Sequence, residues 1–516
     1  MTRYLKGANI GFGGRADTRT HKVEELQTEL IRGLRYGILP QPAPAKSEDH
    51  FADIASILSR TALLLQDPSA TISMPEAWVR AFMLIRLHSL STGDSAIQSS
   101  TLETLALLLE KDIIPLVPLR GSISEFGDLS PLSYLGALMQ GEPSVSVWMG
   151  SRLAGERRVE WADKALVDLS IKPIRLGAKE GLAIVNGTAA SAGVGALAVH
   201  EAHCQAALSQ ILTAMSVEAL RGTDKSFDPF FGQFRPHPRQ VDSARDIFAF
   251  LAGSKFVYRS DGAEESSLRQ DRYSIRTASQ WIGPVLEDLL LSHQQVMIEA
   301  NSVTDNPLID VANRRMLHGG NFEAKVINFA MGKTRQACQT IGRMLFVHYT
   351  ELLNPATSLP PNLVVDQSSE SFLWKGIDIM VGAPQSELGF LANPVGSHVQ
   401  TAEMGNQALN SLALNSARYT LDSLKVLTQL SAAHLFSLCQ ALYLRAMNER
   451  YLEALKQPFK DLAHDVFRHD ITDNHHLDQL SEILWIDFKR QFGETAGMDS
   501  SSRFRFVIQS LKATIL

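Results

Sequence analysis

Only three cysteines, Cys204, Cys338 and Cys439, occur in 516 residues, widely separated and each in an apolar, helix-like setting. That excludes a disulfide framework and predicts buried, reduced thiols in a reducing, cytoplasmic compartment. Positive charge is not in excess: 49 Lys and Arg against 55 Asp and Glu leave a formal net charge of -6. No basic cluster interleaved with aromatics overrides that balance, so nucleic acid is not an expected partner. No uninterrupted apolar run is long enough to span a bilayer, and the opening MTRYLKGANIGFGG lacks the apolar core of a secretory leader. A membrane partner is therefore not expected either. Neither a Cys-x-x-Cys pair nor a His-Glu-x-x-His string is present, His200 and His203 share a helix face without a third ligand, and His475-His476 sits in a polar turn. No metal is expected. The Gly11–Gly14 run has no strand before it and no helix after it, as a phosphate cradle requires.

Strand signals are sparse, and what remains is helical. Hydrophobic residues make up 45% of the chain and charged residues 20%, an ordinary globular balance. Across 279–302 the apolar positions Trp281, Val285, Leu289, Val296 and Ala300, with His293 between them, recur at helical spacing. Similar periodicity covers 75–90, 101–111, 188–220, 321–353 and 402 to about 446. Helices of that length need neighbours along their whole course, which predicts an all-α bundle. Pro, Gly and polar residues mark linkers at 40–46, 222–239 and 355–371. Beyond about Ala446 the chain turns more charged and loses its small-residue pattern. The expected division is a helical core over 1–446, lid loops plus central bundle, and a short helical appendage over 447–516.

Six polar clusters interrupt the helices: RGSISEFGDLSPLS, KEGLAIVNGTAAS, RQDRYSIRT, SVTDNPLI, LHGGNFEA and HVQTAEMGNQ. Taken singly, each reads as a turn, since Asn186-Gly187, Asp305-Asn306-Pro307 and Gly319-Gly320 are good turn formers. Together they hold Asn186, Tyr273, Arg276, Asn306, Glu403, Asn406 and Gln407, which predicts one polar pocket carried by a rigid scaffold.

These strings, in this order over residues 4–446, resemble the histidine, phenylalanine and tyrosine ammonia-lyases and aminomutases, most of all the fungal phenylalanine ammonia-lyases. The resemblance implies the all-α, fumarase/aspartase-like long helical bundle of that family, assembled as a homotetramer whose active sites combine residues of more than one subunit. In the family an Ala-Ser-Gly tripeptide cyclises and loses water from the serine, leaving a methylidene imidazolone as electrophile. Here the matching residues are Glu125-Phe126-Gly127. Phe126 has no hydroxyl to eliminate, and neighbouring frames do not rescue the chemistry: Leu129-Ser130-Pro131 offers no N–H. No prosthetic group is expected. The family's catalytic tyrosine is matched by Lys6, with Tyr4 out of register.

Other positions match. By resemblance, Tyr273 corresponds to the second catalytic tyrosine, Arg276 to the arginine on the substrate carboxylate, and Asn306 to that carboxylate's hydrogen-bonding partner. A planar guanidinium can meet a carboxylate with two parallel bonds. Asn186 corresponds to the asparagine beside the prosthetic ring, and Phe322, Glu403, Asn406 and Gln407 to residues lining the pocket near ring and amine. Gly33 and Leu34 fall where the family contacts the aryl ring, and a glycine there either enlarges the pocket or has no bearing on it.

The functional expectation follows from the two departures. Without electrophile and base tyrosine, conventional deamination loses its transition-state stabilisation. The expected activity is therefore an enzyme without the methylidene group, acting on a pre-activated, carboxylate-bearing small molecule by elimination, conjugate addition, isomerisation or cyclisation. One alternative is a non-catalytic relative that binds aromatic acids or partners an active homologue; another is residual aromatic amino acid ammonia-lyase activity. Lys6 is expected to pair with Glu125, with catalysis by Lys6 as the other reading. The start of the chain is expected to be shortened, leaving Lys6 mobile.

Overall fold

The computed structural model describes residues 20–39, 72–151, 154–259, 270–354, 357, 359–364 and 373–512. Its long elements are helices, as the periodicity predicts, and the chain divides into two compact units. The first comprises residues 1–201, 289–334 and 393–422; the second comprises 202–288, 335–392 and 423–516.

In the first unit the helices Val23–Gly33, Leu129–Met139 and Glu180–Val185 pack on one another. Leu129–Met139 is buried on every side, and its sequence LSPLSYLGALM is apolar or small all round, as such a position demands. At Gly136 an added methyl would come within 2.7 Å of Ile31, so the glycine sets how closely these helices approach. Phe82 and Met83 of the helix Glu76–Ser91, with Leu108, Ile114, Leu132 and Ile184, are fully buried. Three short strands, β1 (Ile114–Pro115), β2 (Ser146–Met149) and β3 (Arg158–Trp161), form an antiparallel sheet in sequence order. A hairpin pairs Leu308–Asp310 with Arg315–Leu317. Strands of two to four residues are too short for an alternating pattern to register in sequence.

The second unit holds the long helical faces whose small and hydroxyl-bearing residues interlock. Gln205 bonds Thr428 at 2.9 Å and Ser431 at 3.1 Å, and Ser216 meets His434 at 3.1 Å. The helix Ala413–Phe467 begins eleven residues later than the periodicity predicts and runs without a break through Ala446. After it, Asn474–Glu494 and Ser500–Ser510 pack Trp485, Phe488, Phe492 and Val507 into a cluster of their own, against Leu452, Leu455 and Phe459.

Two expectations need correcting. Cys338 is buried, but Cys204 and Cys439 are exposed, because each falls on the outer stripe of its helix. The stretch 222–239 is not a plain linker: it holds a short 3-10 turn, Asp224–Phe227, and the helix Pro229–Phe234, started by the Asp228 side chain and a proline in the first turn. Among the described residues no helix is long and apolar enough to cross a membrane.

Candidate active site

The loop before the helix Leu129–Met139 is fixed by small hydroxyls. Ser124 adopts a left-handed backbone (φ 52), its Oγ donates to Asp128 Oδ1 at 2.9 Å, and its carbonyl accepts from Ser411 Oγ at 3.0 Å. Asp128 Oδ2 accepts the Ser191 N–H at 2.6 Å, tying the loop to the start of the helix Ala189–Ala219. Gly127 has φ +71 and forms a parallel bridge with Gly187 so close that any side chain on Gly127 would overlap the Gly187 carbonyl. The 125–127 and 186–188 segments are thereby locked backbone to backbone.

A buried guanidinium holds the second segment. Arg86 donates to the carbonyls of Ile184 (3.1 Å), Asn186 (2.8 Å), Thr304 (2.8 Å) and Ala183. It thus caps the carbonyl end of the helix Glu180–Val185 and joins it, through Thr304, to the loop that carries Asn306. Burial pulls its pKa down to about 10, still fully charged at neutral pH. Asn306 is buried, and its Oδ1 accepts the Gly319 N–H at 2.8 Å.

On this frame the structure gathers several of the sequence-predicted residues. The Asn186 Nδ2 donates to the Phe126 carbonyl at 3.0 Å, and the Phe126 ring lies 4.6 Å from that of Phe322, tilted by 45°. Glu125 is only 7% exposed, and among the described residues its Oε2 has no hydrogen-bond partner. Desolvation, then the charges of Asp128 and Glu403, push its carboxyl up to about 7. Glu403 and Met404 sit in a left-handed turn in which Asn406 Nδ2 bonds Glu403 Oε2 at 3.1 Å, while Gln407 is buried and pairs backbone to backbone with Ala402. Gly33 ends the first helix with open space where a side chain would stand, and Leu34 follows, half-buried.

Tyr273 and Arg276 belong to the second unit. They open and close the single turn Tyr273–Arg276, with the guanidinium 5.5 Å from the Tyr273 ring centre and the tyrosine 66% exposed. Lys6 lies outside the described residues, and so does its pairing with Glu125.

Sequence reasoning missed three groups. Arg86 is the one cation in the run AFMLIRLHSL, which was the available signal. Asp128 lies within the polar cluster RGSISEFGDLSPLS, where an acid in a loop carries no distinguishing signal. Tyr36, whose phenol is pushed up by desolvation and then by the Glu125 charge, had no sequence signal at all.

A methylidene imidazolone does not fit residues 125–127. Phe126 lacks the β-oxygen that would leave, and its aromatic ring occupies the place against Phe322.

Residues 3–465 match the family model described as aromatic amino acid lyase. A phenylalanine ammonia-lyase of Aspergillus hancockii is 43% identical over 508 residues, 98% of this chain and 69% of that protein. A phenylalanine aminomutase (L-beta-phenylalanine forming) of Talaromyces islandicus is 40% identical over 518 residues, 99% and 70%. Among solved structures, phenylalanine ammonia-lyase from Rhodosporidium toruloides matches with a TM-score of 0.85 at 39% identity, covering 95% of this chain and 73% of that one. This chain spans about two thirds of the length of such relatives, 69%, 66% and 62% for three of them.

These matches correct the functional expectation. An activity moved off amino acids onto a pre-activated anionic substrate is contradicted by relatives at 43% identity over nearly the whole chain that are named phenylalanine ammonia-lyases. The expectation rested on two positions, Lys6 and Phe126, which bear on rate. The match, by contrast, runs over nearly the whole chain.

Proposed function

This chain belongs to the aromatic amino acid lyase family, and from that premise we propose that it binds an aromatic amino acid and eliminates ammonia from it at a residual rate. The observation that carries the reading is the near full-length match to phenylalanine ammonia-lyases, together with the locked frame of Asn186, Asn306 and Phe322.

In this reading Arg276 and Asn306 hold the substrate carboxylate, by a charge-assisted fork and a neutral hydrogen bond. Tyr273, as its phenolate beside the Arg276 guanidinium, takes the β-proton and becomes the neutral phenol. The electron pair left behind forms the new carbon–carbon double bond as the carbon–nitrogen bond breaks, and the nitrogen leaves as ammonia. Phe126, Phe322 and the space beside Gly33 surround the aryl group. Positioning of this kind lowers the barrier by itself. Nothing described at 125–127 stabilises charge developing at the β-carbon, so the rate stays low. The complete site is read as composite, with Tyr273 and Arg276 contributed across a homotetramer, and 447–516 as an appendage outside it.

A second reading, a binding subunit without turnover, is favoured by Phe126 alone. Incubating the chain with L-phenylalanine and L-tyrosine while following arylacrylate absorbance and ammonia separates the two. Slow stoichiometric release of both products supports the lyase reading. Binding without any release supports the second, and absence of binding contradicts both.

A further inference from the structure

The 125–127 loop carries more buried acceptors than it can use. Glu125 is 7% exposed and Asn186 2% exposed, and among the described residues Glu125 Oε2 and Asn186 Oδ1 both lack a hydrogen-bond partner. Both residues adjoin Phe126: Glu125 immediately precedes it, and its carbonyl receives the Asn186 Nδ2 at 3.0 Å. That bond dictates the amide's orientation, since Oδ1 facing the carbonyl would set two acceptors against each other. Among the described residues the neighbouring groups leave both oxygens unmet: Asp128 and Glu403 are carboxylates, the first held by Ser124 Oγ and the Ser191 N–H and the second by Asn406, and the Tyr36 phenol is engaged with Ser130.

Resting on the reading that the ligand is an aromatic amino acid, we propose that the Glu125 carboxylate and the Asn186 side-chain oxygen form its ammonium subsite, where the family resemblance places an electrophile. An ammonium group is the complement of what the loop presents: three N–H donors, one positive charge and no acceptor. It satisfies both orphaned oxygens and neutralises a buried acid that otherwise stands beside Asp128 and Glu403. The tilted Phe126–Phe322 pair gives the ligand's ring an aromatic wall at the same residue. Glutamate at this position therefore changes the site from one that attacks the substrate to one that grips its nitrogen. Desolvation holds the Glu125 pKa up at about 7, as expected of a buried acid without a matching cation.

The test is calorimetric titration of the full chain with L-phenylalanine and with 3-phenylpropanoate, which has the same ring and carboxylate but no ammonium. The wild-type chain is expected to prefer L-phenylalanine by roughly tenfold or more. The near-isosteric E125Q variant is expected to lose that preference while holding 3-phenylpropanoate as well as wild type does. Because the preference is read in the wild-type chain, the test stands even where E125Q folds poorly. Equal affinity for both compounds, or a preference that survives in folded E125Q, overturns the ammonium subsite and leaves the ligand reading standing. Binding of neither compound overturns the ligand reading, and the subsite with it.

Discussion

The side-chain amide of Asn186 donates to the main-chain carbonyl of Phe126 across 3.0 Å, and this bond joins the two segments that define the site. Arg86 holds one segment from behind, and the Gly127–Gly187 bridge fixes their spacing. These contacts hold in place a tripeptide, Glu125-Phe126-Gly127, that carries a carboxyl and a phenyl group and no hydroxyl.

The purified chain is expected to show the intact mass of its unmodified sequence. Phe126 has nothing to lose as water, whereas the E125A/F126S double variant restores Ala-Ser-Gly on a backbone already turned at Gly127 (φ +71) and is expected to lose water. Intact-mass spectrometry of both proteins checks this. A dehydrated wild-type mass would contradict it.

Ligand binding should depend on pH with a definite sign. The Glu125 carboxyl titrates near 7, facing Asp128 from its own loop, Glu403 from the 402–407 turn and Tyr36 from the segment after the first helix. An ammonium ligand needs the ionised form, so L-phenylalanine affinity is expected to rise by roughly tenfold between about pH 5.5 and about pH 8. In E125Q the profile is expected to be flat, and calorimetry across that range decides it.

Stability moves the opposite way. Glu125 is raised from 4.5 to about 7, so between those values the folded chain keeps a proton that the unfolded chain has released. Its burial is therefore least costly below about pH 4.5, and stability falls as pH rises through about 7. E125Q removes this loss and is expected to gain stability over wild type on the order of 2 kcal/mol between about pH 5 and about pH 8. Denaturant melts at the two pH values measure it; a pH-independent difference would show that Glu125 does not titrate there.

Arg86 is fully buried and serves four carbonyls, so R86K leaves several of them without a donor. A loss of roughly 3 kcal/mol is expected in denaturant melts. Because Asn186 loses its backing, L-phenylalanine affinity should weaken as well, although Arg86 touches no ligand.

Much of this was legible in sequence, for identifiable reasons. The helices Glu76–Ser91, Ala189–Ala219, Ala278–Ala300 and Lys325–Leu352 lie within a few residues of their apolar periodicity, which long helices with buried faces make unmistakable. The helix expected from 402 starts at Ala413, because Glu403, Met404 and Leu412 take left-handed backbones that no periodicity reports. Its continuation through Ala446 was hidden because a shift to charged residues changes what a helix faces without ending it. At the site, the Glu125-Phe126-Gly127 departure was visible, but the orphaned oxygen of Glu125 was not. Whether an acid is matched depends on neighbours such as Tyr36 and Glu403, which are remote in sequence. Arg86 illustrates the same limit: a lone cation in an apolar helix signals burial, yet not which carbonyls it serves.

The most direct test is the rate of cinnamate release from L-phenylalanine by the wild-type chain and by E125A/F126S, assayed side by side. The account predicts slow release by wild type, above the protein-free control, and an increase on the order of 10³-fold in the double variant. A wild-type rate that the restored tripeptide leaves unchanged would contradict it.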